Sequence, residues 1–504
     1  MSSARAKTLP YDVWVHIFAL IPPETLQGLY AVNRDFFDAA LSERYRVVGL
    51  VHPDNPFTKR CLERLLDDKL RSSKARTLRL QLASLGSIIR EPEHFDWKAK
   101  LQGGVENVYL RPPGSKRRLF RKGDNGKKSS QSLDYLHSLV RMVVGLTNVQ
   151  EFIVEYHPDE DSLRKFNVAI PFVLAGWEAF GAHLRTLNLA VPIETLEDIL
   201  LTDLSIPHLE TLEVQIFLVY RTTDPLPILD SVLAPFINAH RQTLRCISIQ
   251  THQHLHLTPM LKALQHFPLL RSFTIVQGFV STLQTDTSGL HQFLSQHSTQ
   301  LTTFRVFFHA LATKLTIDPL MAHWFAQPFL HVPLPSLSRL DLGLIDFPTT
   351  FPERLRDSYL QQYWTYISHL GLRMQLAVAD IDTVLSNIPA DNVIRSLHVN
   401  VVLLTPELLD VLSARLPNLH ELEIGADNFG VIDDETSSDR HKAFSDALST
   451  RSYPNWKLRH LVITGVWSYV LPTPLVCFRA ILYSMPGLET FNRSSRQETL
   501  REVE

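Results

Sequence analysis

One short phrase recurs in this chain often enough to restrict it to very few architectures. It reads apolar, two polar or small residues, apolar, one residue of any type, apolar. Clear copies are Leu184-Arg-Thr-Leu187-Asn-Leu189, Leu209-Glu-Thr-Leu212-Glu-Val214, Leu244-Arg-Cys-Ile247-Ser-Ile249, Leu270-Arg-Ser-Phe273-Thr-Ile275 and Leu301-Thr-Thr-Phe304-Arg-Val306. Further on come Leu337-Ser-Arg-Leu340-Asp-Leu342, Ile394-Arg-Ser-Leu397-His-Val399, Leu419-His-Glu-Leu422-Glu-Ile424 and Leu458-Arg-His-Leu461-Val-Ile463. Fainter copies start at Val105, Val149, Ile367 and Leu488, and Leu78-Arg-Leu80-Gln-Leu82 reads as the first strand of the series. From Leu184 to Leu488 successive starts are 25 to 39 residues apart. Self-similarity at this spacing marks a repeat architecture, in which a unit buries its apolar face only by stacking on its neighbours.

Alternation at the fourth and sixth positions puts both side chains on one face of a short strand. Helical stripes precede most strands, as in Leu261-Lys-Ala-Leu264, Phe293-Leu294, Val384-Leu385 and Leu408-Leu409-Asp-Val411-Leu412, and Pro268, Pro389 and Pro417 end them. Strand and helix in alternation, with no room for tight hairpins, predict a parallel sheet stacked as an α/β solenoid. The residue between the last two apolar positions (Asn188, Glu213, Ser248, Thr274, Arg305, Asp341, His398, Glu423) then faces outward from the sheet. A doubly wound α/β domain also alternates strands and helices, but it lacks the recurring phrase, and no Gly-rich phosphate loop is present.

Composition narrows the class further. A chain of 504 residues exceeds one compact core, and 45% hydrophobic with 20% charged residues describes a folded protein. A net charge of −2 gives no global field for nucleic acid or anionic membrane, so neither is expected as a partner. No signal peptide or membrane-length apolar run is visible. Cys61, Cys246 and Cys477 are few, odd in number and far apart, which fits buried thiols in a reducing cytoplasm or nucleus. Asn492-Arg493-Ser494 fits a glycosylation sequon by coincidence only.

The first fifty residues follow a different pattern. Val13, Ile17 and Leu20 form one helical stripe and Trp14, Phe18 and Ile21 a second, opened by Pro10 and Asp12 and closed by Pro22-Pro23. Leu26, Leu29 and Val32 suit a second helix; Phe36, Phe37, Ala40, Leu41 and Tyr45 suit a third. Two stripes on so short a helix leave more apolar surface than a fifty-residue unit can hide. Through Leu9-Pro10, Ile17-Phe18, Pro22-Pro23 before Leu26, and Val32 followed by Arg34, the segment Leu9 to Phe37 resembles the F-box. Its tail, Phe36 to Tyr45, is similar to F-box-like proteins of filamentous and mushroom-forming fungi. Asn33 and Phe36 depart from the general pattern, which has a small residue or Cys and a Trp there. The repeats resemble an irregular leucine-rich-repeat domain of the kind that follows F-boxes, although the asparagine usual at the strand end is mostly missing.

The resemblance implies residues 1–50 as an F-box-like three-helix module, 51–491 as an irregular leucine-rich-repeat domain with a basic loop near 111–130, and 492–504 as a polar, frayed tail. It implies a substrate receptor of a cullin-type ubiquitin ligase, with Leu9, Pro10, Ile17, Phe18, Pro23 and Leu26 docking a Skp-type adaptor and the repeats binding a protein target of unknown identity. The alternative is a repeat scaffold without ligase link, in which Val13, Ile17 and Leu20 are buried and the helices cap the array.

Other features argue weakly for chemistry. The run from Arg111 to Lys128 carries Lys116, Arg117, Arg118, Arg121 and Lys122, a candidate electrostatic patch or import signal within a Pro-, Gly- and Ser-containing loop. His252, His254 and His256 alternate without an acidic or cysteine ligand nearby, so a surface loop is expected. Asp159-Glu160-Asp161 and Asp433-Asp434-Glu435 read as solvated insertions. Tyr363, Trp364 and Tyr366 form either a binding hot spot or helix core. No nucleophile elbow, zinc-helix motif or cysteine pair is found, and the chain is expected to be neither an enzyme nor a carrier of a metal or cofactor.

Overall fold

The computed structural model describes residues 11–50, 56–81, 137–156, 170–200, 204–219, 224–251, 253, 255–279, 286–310, 327–345, 355, 359–389, 391–431, 440–465 and 475–503. These fall into two compact units, Met1–Ile228 and Leu229–Glu504.

The first unit begins with three helices, α1 (Tyr11–Ala19), α2 (Pro23–Gly28) and α3 (Arg34–Tyr45). Pro22-Pro23 ends α1 and opens α2, with Pro22 at the N-cap and Pro23 in the first turn, where a missing N–H costs nothing. Asn33, one of the departures from the F-box pattern, is the N-cap of α3; its Oδ1 accepts from the Phe36 N–H at 2.9 Å. Then follow β1 (Val47–Leu50), α4 (Pro56–Asp67), α5 (Lys69–Ser72), β2 (Thr77–Gln81), β3 (Glu151–Glu155), β4 (Thr186–Pro192) and β5 (Thr211–Phe217). The five strands pair in parallel, each with its neighbour in sequence.

In the second unit, β6 (Cys246–Thr251), β7 (Ser272–Phe279), β8 (Thr303–Ala310), β9 (Arg339–Ile345) and β10 (His369–Leu376) continue the pattern. They are followed by β11 (Ser396–Leu404), β12 (Glu421–Phe429), β13 (His460–Thr464), β14 (Thr490–Phe491) and β15 (Ser494–Ser495). Strands β6 to β14 again pair in parallel in chain order. In neither unit does the strand order reverse, so neither has the switch point of a doubly wound sheet. The arrangement is solenoid-like.

All nine clear copies of the phrase deliver their three apolar side chains to the interior, each 2% exposed or less. The faint copies at Val149, Ile367 and Leu488 open β3, β10 and β14; Val105 lies outside the described residues. Repeats are joined at the strand entry by one carbonyl accepting two N–H groups, as in Arg185 and Thr186 on Gln150 (2.8 and 2.9 Å) and His420 and Glu421 on Arg395 (2.8 and 2.9 Å). Each parallel strand is thereby tied to its neighbour before its apolar residues enter the core.

Two boundaries differ from expectation. The series starts at β1, inside the first fifty residues, because Tyr45, Val48 and Leu50 fill the three apolar positions and are buried. Residues 492–503 are not a frayed tail. Asn492 and Arg493 take positive φ (48° and 71°), so the chain reverses after β14 and β15 pairs antiparallel to it. Ser495 and Glu498 then form a reciprocal cap (Ser495 N–H to Glu498 Oε2, 3.1 Å; Glu498 N–H to Ser495 Oγ, 3.3 Å) on the helix Arg496–Val503. Val503 is buried, and the Arg496 Nη2 donates to the Leu482 carbonyl at 3.0 Å.

Candidate docking surface

The three-helix module holds itself together through the second stripe of α1. Trp14 stacks on Phe18 with ring centroids 5.6 Å apart, and both meet the edge of Phe36 from α3, at 5.5 and 5.1 Å. Phe36 thus supplies the aromatic anchor that the pattern places there. Leu26 of α2 and Ala40 of α3 are buried beside this cluster's helices. The first stripe is divided: Ile17 is half-buried, Val13 is 37% exposed, and Leu20, in the turn just after the helix, is 86% exposed. Tyr30 (60%) and Val32 (59%) in the turn before α3, and Phe37 on α3, are exposed as well.

Tyr30 and Phe37 line a groove of about 190 Å³ whose other walls are Ala40, Leu41, Arg44, Tyr45, Arg64 and Arg71. Its floor is apolar and its rim basic. Arg71 lies 5.9 Å from the centre of the Tyr45 ring and pairs with Asp68 at 3.0 Å. Such a groove accepts an apolar anchor flanked by carboxylates.

The residues singled out from the sequence are therefore not all brought to one surface. Leu9 and Pro10 lie outside the described residues, and so do Lys116, Arg117, Arg118, Arg121 and Lys122 of the basic run and the acidic insertions. Pro23 is in the first turn of α2. Ile17 and Phe18 are half-buried, Phe18 within the aromatic cluster, and Leu26 is core at 5% exposure. Val13 and Leu20, which the capping alternative would bury, are exposed. Phe37 is legible in the sequence only as a helix apolar position, and Tyr30, exposed in the turn between α2 and α3, follows no pattern that singles it out.

Elsewhere the polar features have structural roles. A cleft of about 310 Å³ is lined by Arg76, Asn148, Gln150, His183, Arg185 and His208 at the strand entries. The Arg76 guanidinium donates to the carbonyls of Ser73, Ala75 and Asn148, and Arg185 pairs with Glu210 at 3.3 Å, so these cations join neighbouring repeats. Tyr363 and Trp364 are buried, Tyr363 donating to the Val332 carbonyl at 3.2 Å: core, not a hot spot. Burial pushes the Cys477 thiol up to about 12, and all three cysteines are free. Of the alternating histidines, only His256 is described; His252 and His254 are not. Among the described residues no three His, Cys, Asp or Glu side chains gather as metal ligands, and no helix is long and apolar enough to cross a membrane. No protein-family model matches the chain, and no curated protein is significantly similar to it.

Proposed function

We propose that the chain is a substrate-receptor subunit of a cullin-type ubiquitin ligase, with an F-box-like module that docks a Skp-type adaptor and leucine-rich-type repeats that bind a protein target in the cytoplasm or nucleus. The observation that carries this reading is the exposure of Val13 and Leu20 together with Tyr30, Val32 and Phe37. A short module that packs the half-buried Trp14, Phe18 and Phe36 on one another and leaves five other apolar side chains exposed has the surface of a partner site. Burial of Val13, Ile17 and Leu20 against the following residues would support the capping alternative; Val13 and Leu20 are exposed and Ile17 is half-buried. The receptor's contribution is positional, raising the local concentration of target lysines at chemistry performed by other subunits.

Purified full-length chain should bind a Skp-type adaptor. Leu20→Asp combined with Val32→Asp should weaken that binding at least about tenfold while leaving the circular-dichroism melt unchanged, because neither side chain is core. Absence of binding by the wild-type chain at micromolar adaptor would end the receptor reading. Leu26→Asp is unsuitable, since a buried charge at that position would unfold the module.

A further inference from the structure

Positive charge is in surplus at one place on the outward face of the sheet in the second unit. Arg305 of β8, Asp341 of β9 and Gly371 of β10 are register partners and share one row. Arg339 precedes Asp341 by two residues and Arg373 follows Gly371 by two, so both stand on that same face. The Asp341 carboxylate is buried and serves two guanidiniums at once. Arg339 Nε donates to Oδ2 at 3.2 Å; Arg305 Nε lies 2.8 Å from the same oxygen but is not aligned for a hydrogen bond, and is left without one. Among the described residues no carboxylate pairs with Arg373. Its guanidinium carbon lies 5.6 Å from the Phe307 ring centre, and its solvent-shielded Nε has no acceptor. Glu423, further along the sheet, pairs with His398 at 3.1 Å.

These residues therefore bring three guanidiniums and one carboxylate to one face, and only Arg305 and Arg339 touch that carboxylate. The excess is felt electrostatically: burial first, then Arg339 and Arg373, push the Arg305 pKa down, and burial followed by Arg373 does the same to His398. The surrounding backbone is shaped to suit. A Cβ at Gly371 would strike the Asp341 carboxylate and one at Gly343 the Phe307 ring, so these two glycines let both side chains lie flat across the sheet. The β10–β11 register shifts between Leu372 and Gln375, and Arg373 lies in that irregular stretch, where strands commonly re-aim a side chain. Joining of adjacent repeats accounts for Asp341 with Arg305 and Arg339. It does not account for the charge of Arg373, a third cation added to a site already short of negative charge and packed against Phe307.

We propose that Arg305, Arg339 and Arg373 form a receptor for an oxyanion on a bound peptide, a carboxylate or phosphorylated side chain, with Asp341 holding the first two guanidiniums in place and Phe307 walling the third. The ligand completes the charge balance and pairs with guanidiniums that are part-exposed, Arg305 and Arg339 keeping 36% and 39% of their side-chain surface in solvent. This specifies the target-binding half of the proposed receptor, rests on that reading for calling the peptide a target, and uses a unit other than the one proposed to dock the adaptor.

The test uses the full chain at low salt and three fluorescein-labelled hexapeptides of Gly and Ser, carrying two phosphoserines, two glutamates or two serines at the central positions. Saturable anisotropy is expected for at least one acidic peptide and none for the serine peptide, and which acidic peptide binds more tightly names the source of the oxyanion. Arg373→Glu should weaken binding by at least about tenfold and Arg373→Lys by no more than about threefold. Arg373→Gln, which keeps size and removes charge, replaces Arg373→Glu if the latter fails to fold. No saturable binding of either acidic peptide, undiminished binding by the charge-removed variant, or equally tight binding of a single-stranded RNA hexamer would overturn the assignment. Adaptor binding measured on the same Arg373 variant should be unchanged, so failure of the peptide site and failure of the adaptor reading give different results.

Discussion

His297 illustrates how a polar side chain is accommodated between two repeats. It is fully buried, its Nε2 accepts from the Phe267 N–H at 3.0 Å, and its Nδ1 lies 2.7 Å from the Phe293 carbonyl. Only the neutral ring protonated on Nδ1 satisfies both contacts. Burial lowers its pKa to about 4, with the stacked His266 adding to the effect. An unfolded histidine titrates near 6.5, so between these values the unfolded chain binds the extra proton. The stabilisation is complete above about pH 6.5 and is lost as pH falls towards 4. His297→Gln should therefore melt at lower temperature than wild type at pH 7, and the gap between the two should narrow in melts at pH 5. A gap constant with pH would mean that the ring is not held neutral. Gly371 makes a second residue-scale case. Gly371→Ala should cost about 1–3 kcal/mol in denaturant melts, because its Cβ displaces the Asp341 carboxylate from beneath two guanidiniums.

At the scale of elements, the recurring phrase was read correctly because burial on one strand face demands a two-residue period whatever lies around it. The first strand escaped notice because Tyr45 stands where later repeats have Leu or Ile, and because it follows α3 directly. The C-terminal helix escaped because its composition is polar: only Thr499 and Val503 of Arg496–Val503 are buried. Its signal was nevertheless present in Ser495-Arg-Gln-Glu498, a capping pattern, preceded by Asn492, whose Oδ1 accepts from the Ile463 N–H at 2.8 Å. That helix and the β14–β15 turn cover the last parallel strand and supply the polar outer face a terminal repeat needs. Truncation after Asn492 should lower the melting temperature of the chain by several degrees and increase aggregation on heating. An unchanged melt would reduce the segment to an ornament of the sheet edge.

At the scale of the molecule, each repeat leans chiefly on its neighbours, so stability is expected to be distributed and not shared by a single core. Leu187→Ala in the first unit and Leu422→Ala in the second should each cost about 2–4 kcal/mol. Urea melts should show two transitions, with each substitution moving one of them. One transition moved equally by both would mean that the two units unfold together.

Period and burial are local demands, and they were readable: which side chains enter the interior, that the strands run parallel, and that residues between the apolar positions of a strand face outward. Exposure is not local. Ile17, Phe18 and Leu26 carry the pattern expected of a docking surface, yet in the folded module Phe18 packs on Phe36, Leu26 is core, and Val13 and Leu20 are left to solvent. The same holds for charge. Arg305, Arg339 and Arg373 lie up to sixty-eight residues apart, and only the parallel register gathers them on one face of the sheet, the first two on a single carboxylate. Side-chain periodicity follows from backbone geometry alone; which faces stay uncovered, and which charges meet, follow from how separate stretches of chain pack.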